Sequence, residues 1–298
     1  MDHFSLRLRL STKNINTRTR ENKIQNYIAH NKYKIHKIQN KQTIANENNV
    51  HYKHVAPFDI NLATIPKIIY QTWHSHKLPP NIELSVNQIK NNHPDFTYNF
   101  FDDNDCREFI KEHYDSATLN AFDRLIPGAY KADLWRYCVL YKTGGIYLDI
   151  KYKCVNGFNF NQVINNEHWV LDNNNLDIYN ALMVCSPNNP ILLACIRQII
   201  VNVNTNYYGA NQLCPTGPVL LRYKLYSYID NVNIENKNRI KSNIDMQHIL
   251  RKDNKFIFHK KKRILQMCTN YYQELTRFSK VPSYGDLWHR RLIYKPFK

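Results

Sequence analysis

No run of the roughly 18 consecutive apolar residues that a membrane-spanning helix needs occurs in this chain, so the pattern excludes a transmembrane span. The first residues, MDHFSLRLRLSTKN, also lack the apolar core of a signal peptide. Cysteine pairs of the CxxC kind are missing. The seven cysteines (106, 138, 154, 185, 195, 214 and 268) are scattered and odd in number, which fits neither a zinc knuckle nor a disulfide framework. Most lie inside apolar runs, where a cysteine acts as a small buried hydrophobe in a reducing compartment.

Acidic residues are scarce, 24 against 41 lysines and arginines, and the imbalance is uneven. Residues 1–60 carry 11 basic and 4 acidic side chains, residues 251–298 carry 13 and 3, and the 190 residues between balance at 17 each. A neutral middle argues against a uniformly basic nucleic-acid-binding domain. The basic ends suit an anionic ligand or an anionic surface. Residues 1–58 have no clean apolar period and read as a loosely ordered basic arm. The folded domain is expected from about residue 60 to 298, long enough for one large core.

The most informative stretch runs from Ala129 to Asp149, AYKADLWRYCVLYKTGGIYLD. Leu134, Tyr137, Cys138 and Tyr141 fall at helical spacing, Gly144 and Gly145 form a helix stop, and Ile146-Tyr147-Leu148 reads as a short buried strand. Asp149 then sits where the strand runs out, on the rim where α/β sheets bind ligands. As a residue at the mouth of a sheet, it is expected to have little packing to lose.

In this stretch Ala132, Asp133, Arg136, Tyr137, Leu140, Tyr141, Gly144, Gly145, Ile146, Tyr147 and Asp149 match the pattern A-D-x-x-R-Y-x-x-L-Y-x-x-G-G-I-Y-x-D. The chain thereby resembles the glycosyltransferases with a DXD motif and a sugar-binding region, the group of the yeast initiating mannosyltransferase and bacterial capsular-polysaccharide transferases. One position departs: the family's second aspartate would fall at 151, where this chain has Lys151. An independent match lies upstream, where Pro66-Lys67-Ile68-Ile69-Tyr70-Gln71-Thr72-Trp73 reads as a first strand and is followed by Leu78-Pro79.

Other segments extend the resemblance. Asp102-Asp103-Asn104-Asp105 lacks the later ligands of a calcium loop and reads as helix caps. Tyr179 to Cys185 reads as a buried strand, and Pro190 opens a helix. Thr216-Gly217-Pro218 opens another that lies, in the family, beside the active site. Phe256-Ile257-Phe258-His259 reads as a small edge strand. Tyr284 to His289 is similar to the family's C-terminal H-x-x-x-x-S-W region, with neither spacing nor serine kept.

The resemblance implies a single α/β Rossmann-like domain of the nucleotide-sugar (GT-A) type, with a mixed, mostly parallel central sheet. It implies transfer of a hexose or N-acetylhexosamine from a nucleotide sugar to a glycan or glycoprotein acceptor, with retention of configuration. Catalytic roles would fall to Asp149, Lys151 and Asn180. The donor would meet Gln71, Trp73, Asp133, Arg136, Tyr147, Asp149, Thr216 and Gly217. A cation, Mn²⁺ or Mg²⁺, would sit on Asp149 and His289, answering the charge that develops on the leaving diphosphate. Lys151 leaves two alternatives open: its ammonium partly replaces that cation, or it repels the metal and leaves a weak enzyme or a sugar-binding relic. A basic nucleic-acid-associated protein is the rival from another class. Family members of the secretory organelles usually carry a membrane anchor, so the lack of one here leads to an expectation of action in the cytosol or at a cytosolic assembly site.

Overall fold

The computed structural model describes residues 64–252, 254–278 and 282–296. The basic arm expected over 1–58 lies outside the described residues. Strand β1 (Ile68–Thr72) leads to helix α1 (Pro80–Asn92), β2 (Thr97–Phe101), α2 (Asp103–His113), α3 (Ser116–Arg124) and α4 (Gly128–Thr143). Then come β3 (Gly145–Leu148), β4 (Tyr152–Cys154), β5 (His168–Leu171), β6 (Ile178–Cys185), α5 (Pro190–Asn204), α6 (Pro218–Asn231) and α7 (Ile234–Ser242). The chain closes with β7 (Met246–Arg251), β8 (Asn254–His259), β9 (Lys262–Met267), α8 (Tyr271–Phe278) and α9 (Tyr284–His289).

The nine strands form one mixed sheet in the order β2-β1-β3-β6-β5-β7-β8-β9-β4. Pairings β1–β2, β1–β3 and β5–β7 are parallel, whereas β3–β6, β5–β6, β7–β8, β8–β9 and β4–β9 are antiparallel. The sheet is therefore α/β and mixed, as expected, but not mostly parallel. The reason is the connections: helices join the parallel pairs (α1 between β1 and β2, and α5 to α7 on the way to β7), whereas β7, β8 and β9 follow one another through tight turns that permit only antiparallel neighbours. For the same reason residues 256–259 are not an edge strand; β8 lies between β7 and β9.

β3 and β4 stand third and ninth in the sheet, yet only three residues, Asp149 to Lys151, separate them in the chain. The sheet must curl back on itself for so short a turn to join them. Its inner face buries Ile69, Ile146, Leu148, Tyr152, Phe160, Val170, Val184 and Leu265 in one core. The outer face carries helices α2 to α7, with Leu134, Tyr137, Cys138, Leu192, Ile199 and Leu221 in a second, whereas α1 sends Ile89 into the first. Asp102 and Asp105 form a reciprocal capping box on α2, so the acidic run is scaffold. All seven cysteines are buried and free. No helix among the described residues is long and apolar enough to cross a membrane.

Candidate functional site

Helix α4 is the buried centre of the site. Its residues from Asp133 to Leu140 are all buried, polar ones included. Gly144 ends it at φ +67°, and a Cβ there would stand 2.6 Å from Cδ of Pro187. Gly145 follows at φ +107°, where a Cβ would lie 2.8 Å from the Ile68 carbonyl oxygen. Only glycine accepts both the left-handed turn and this close approach. The pair lets α4 reverse directly into β3, which brings Arg136 back to the end of the strand that follows.

At that end the Asp149 N–H donates to the Ala181 carbonyl (2.7 Å), and the Tyr152 N–H donates to the Asp149 carbonyl (3.0 Å), closing the turn. The Asp149 carboxylate is 19% exposed and fully engaged. Its Oδ1 accepts from Arg136 (3.2 Å) and from the Tyr147 hydroxyl (2.8 Å), and its Oδ2 is paired with the Lys151 ammonium. Lys151 is 13% exposed, and its Nζ lies 5.4 Å and 5.5 Å from the ring centres of Tyr152 and Tyr179. Arg136 is 6% exposed; it also donates to the Asn180 carbonyl (2.7 Å), lies 3.2 Å from Asp133, and stacks its guanidinium 4.2 Å from the Tyr147 ring centre.

Asp133 ties the next layer together. Its Oδ1 accepts from Asn180 Nδ2 (2.9 Å) and its Oδ2 from the Thr216 hydroxyl (2.7 Å). Asn180 Nδ2 also donates to the Tyr137 hydroxyl (3.0 Å), which in turn donates to the Thr216 carbonyl (3.2 Å). Gly217 passes close by, since a Cβ there would stand 3.4 Å from Asp133 Oδ2. Helix α4, strand β6 and the start of α6 are thus cross-linked through one buried network.

Charges in the cluster reinforce one another. Burial favours the neutral form of Asp149, but the neighbouring Lys151 and Arg136 outweigh it and hold the carboxyl below its usual range. Burial likewise opposes charge on Lys151, and Asp149 outweighs it, raising the ammonium's pKa. Asp133 moves the other way: burial raises it, against the opposing pull of Arg136, Thr216 and Asn180.

The structure brings together Asp133, Arg136, Tyr147, Asp149, Lys151, Asn180, Thr216 and Gly217 of the residues singled out in the sequence. Gln71 and Trp73 stand apart from this network. Gln71 is buried in β1, where its Oε1 accepts from the Tyr98 hydroxyl (2.8 Å). Trp73 packs in a small separate core with Ile82, Val86 and Ile150, its ring centre 6.4 Å from that of Tyr271. His289 is exposed at the end of α9 and joins no group of three metal-ligating side chains among the described residues. The region's mismatch with the family spacing is the physical reason: the short α9 presents His289 outward.

Aromatic residues were missed by motif reasoning. Burial raises the phenol of Tyr271, with Lys151 opposing and Asp149 adding; burial also raises that of Tyr284, with Asp133 adding, Lys151 opposing and Asp149 adding. Both rings therefore lie within electrostatic reach of the charge cluster. They come from α8 and α9, and no spacing rule links them to residues 133–151.

A divalent cation does not fit this donor set. Asp133 is buried with both oxygens bonded, and Asp149 has an arginine and a phenol on one oxygen and an ammonium on the other. A hard cation needs several free oxygen ligands, and here a lysine stands where the second carboxylate would be. The fixed positive charge of the site is supplied by Lys151 and Arg136.

The α4–turn–β3 segment lies within a stretch that is similar to known proteins. The family described as "Glycosyltransferase sugar-binding region containing DXD motif" matches residues 79–170. Inositol phosphoceramide mannosyltransferase 3 of Schizosaccharomyces pombe is 31% identical over 160 residues, covering 53% of this chain and 44% of that protein. A mannosyl phosphorylinositol ceramide synthase of Saccharomyces cerevisiae, SUR1, is 27% identical over 135 residues, 45% of this chain and 35% of that protein. The chain thus spans less than half the length of these two yeast relatives. Among solved structures, a chain titled "PaToxG Glycosyltransferase" aligns with 77% of this chain and 85% of its own length, at 16% identity and a TM-score of 0.42. Residues 79–170 match the family's region, and over that stretch the chain is similar to the glycosyltransferases whose sugar-binding region contains the DXD motif.

Proposed function

We propose that the chain transfers a hexose from a nucleotide sugar with retention of configuration, and that Lys151 meets the leaving diphosphate in place of a metal ion. The observation that carries this reading is the Lys151 ammonium, paired with Asp149 in the turn between β3 and β4 at the family's motif. As the bond from the anomeric carbon to the diphosphate breaks, negative charge grows on the departing oxygens. A pre-positioned ammonium in a largely desolvated site stabilises that charge without reorganising. Asp149 then serves to orient Lys151, and the buried Asp133 network fixes the elements around it. The names of the relatives put mannose first among donors to test. They likewise put an inositol phosphoceramide first among acceptors, and an anionic headgroup suits the basic C-terminal segment; a glycan or glycoprotein is the alternative acceptor.

The experiment is a calorimetric panel of nucleotide sugars followed by transfer assays in chelated buffer and in Mn²⁺. Binding and transfer of one sugar in chelated buffer are expected. Failure to bind any nucleotide sugar would remove the transferase reading. Binding without turnover would instead favour a sugar-binding relic, in keeping with the internal engagement of both Asp149 oxygens.

A further inference from the structure

Three ligating side chains converge at a different place on the sheet. His168 begins β5, Asp245 immediately precedes β7, and His259 ends β8. His168 Nδ1 lies 2.7 Å from Asp245 Oδ1, and His259 Nε2 lies 2.9 Å from Asp245 Oδ2. The ligand atoms of all three lie within 4.8 Å of one another. The place is set by the ladder, because Val170 pairs with Met246 and Met246 with His259. It lies away from the Asp149 turn: His168 pairs with Val184 on β6, whereas Asp149 bonds to Ala181, three residues along that strand.

We propose that His168, Asp245 and His259 form a binding site for a divalent transition metal of the zinc class, which clamps the β7–β8 hairpin to β5. Two imidazoles and one carboxylate make a borderline-soft set that suits Zn²⁺, Co²⁺ or Ni²⁺ better than Mg²⁺ or Ca²⁺. Ligands on a tetrahedral ion stand about 3.4 Å apart, so the cluster needs to open by only about half an ångström. No second hydrogen bond at His168 Nε2 locks the ring in the tautomer that donates from Nδ1. On binding, each N–H···O contact to Asp245 gives way to a metal–nitrogen bond, and the proton of each neutral ring is given up from the ligating nitrogen and taken up from water at the other one.

The other group of ligating atoms, His76 with Asp102 and Asp105, is exposed at His76, and its carboxylates are committed to capping α2. It offers no comparable site.

The consequence reaches the reading of any metal effect on this protein. Loss of activity on chelation would ordinarily be assigned to the motif at Asp149, whereas here it would report on the sheet. The test uses the full chain stripped with chelator and titrated with Co²⁺ and Zn²⁺. One equivalent should bind, Co²⁺ should show visible ligand-field absorption, and a hundredfold excess of Zn²⁺ over Kd should raise Tm by about 5–10 °C. His259→Gln and Asp245→Asn should each weaken uptake by more than the roughly 100-fold that loss of an outer partner alone can cost. Asp149→Asn should leave the stoichiometry of uptake unchanged. No uptake by the wild-type chain would overturn the proposal, and so would uptake by both cluster variants equal to that of the wild type, which would place the ion among the others of its 13 histidines. Because the readout is metal binding, this result is independent of whether the chain transfers sugar.

Discussion

Replacing Asp149 with asparagine tests the charge cluster directly. The substitution keeps the shape and removes the one anion between two buried cations. Arg136 retains Asp133 at 3.2 Å and the Asn180 carbonyl at 2.7 Å, so it stays partly compensated. Among the described residues Lys151 retains the faces of Tyr152 and Tyr179, at 5.4 Å and 5.5 Å, worth about 0.5–2 kcal/mol each at best. Leaving a buried charge without its partner costs about 3–5 kcal/mol. At about 2–4 °C per kcal/mol for a domain of this size, Tm should fall by roughly 10 °C. This reverses the expectation from sequence, which placed Asp149 at an open mouth with little packing to lose. Adding Lys151→Met to Asp149→Asn should recover most of the loss, because the uncompensated ammonium is then gone. Thermal melts and denaturant titrations of the wild type, both single variants and the double variant close the cycle. A single Asp149→Asn variant that melts with the wild type, or a double variant no better than it, would refute the reasoning.

The same pair fixes a pH window. Asp149 has a folded pKa below its unfolded value, so its contribution is present above about pH 4 and is lost as pH falls through the lower folded value. Lys151 has a folded pKa above its unfolded value, so its contribution is complete below about pH 10 and is lost only as pH rises through the higher one. The stability gap between wild type and Asp149→Asn should therefore stay level between those limits and close on the acid side.

The α4–β3 unit was legible because its signals are local. Helical spacing over residues 134–141, two glycines and a short apolar run specify a helix, a stop and a strand without help from elsewhere. The T-G-P turn was placed beside the site on resemblance alone, yet its attachment is physical, a Thr216 hydroxyl on Asp133. Parallel order in the sheet was not legible, since strand direction depends on which strands pair, and the alternation within 246–267 fits either sense. Nor could the sequence show that Asp149 is enclosed. Its enclosure follows from β4 returning at the far edge of a curled sheet, which brings Lys151 onto a carboxylate already held by Arg136 and Tyr147. The His168–Asp245–His259 cluster escaped for the same reason: its members are spread over 92 positions and meet only through the register of β5, β7 and β8.

Gly145→Ala should destabilise the domain by about 2 kcal/mol or more, since the new Cβ meets the Ile68 carbonyl at 2.8 Å in a left-handed backbone; a denaturant midpoint equal to that of wild type would contradict this. Glu274→Gln should cost about 1–2 kcal/mol, because the carboxylate accepts from the N–H groups of Asn81 (3.0 Å) and Ile82 (3.3 Å) at the start of α1. Its loss should show as faster hydrogen exchange in the first turn of that helix. Lys151→Asp separates the two accounts of the motif. It exchanges the site's ammonium for a second carboxylate beside Asp149, leaving Arg136 as the one cation within the turn's reach among the side chains bonded to Asp149. If Lys151 serves the leaving diphosphate, transfer in chelated buffer should fall by about 10²-fold, as when one principal electrostatic contact is removed. Mn²⁺ should then restore part of it, because two adjacent carboxylates and the donor's phosphates offer the oxygen ligands that the wild type lacks. The wild type should show no such rescue at the donor site, which donor titrations in His259→Gln can isolate from the sheet metal. Higher transfer by Lys151→Asp than by wild type in chelated buffer would mean that Lys151 is a lesion and not a substitute for the cation.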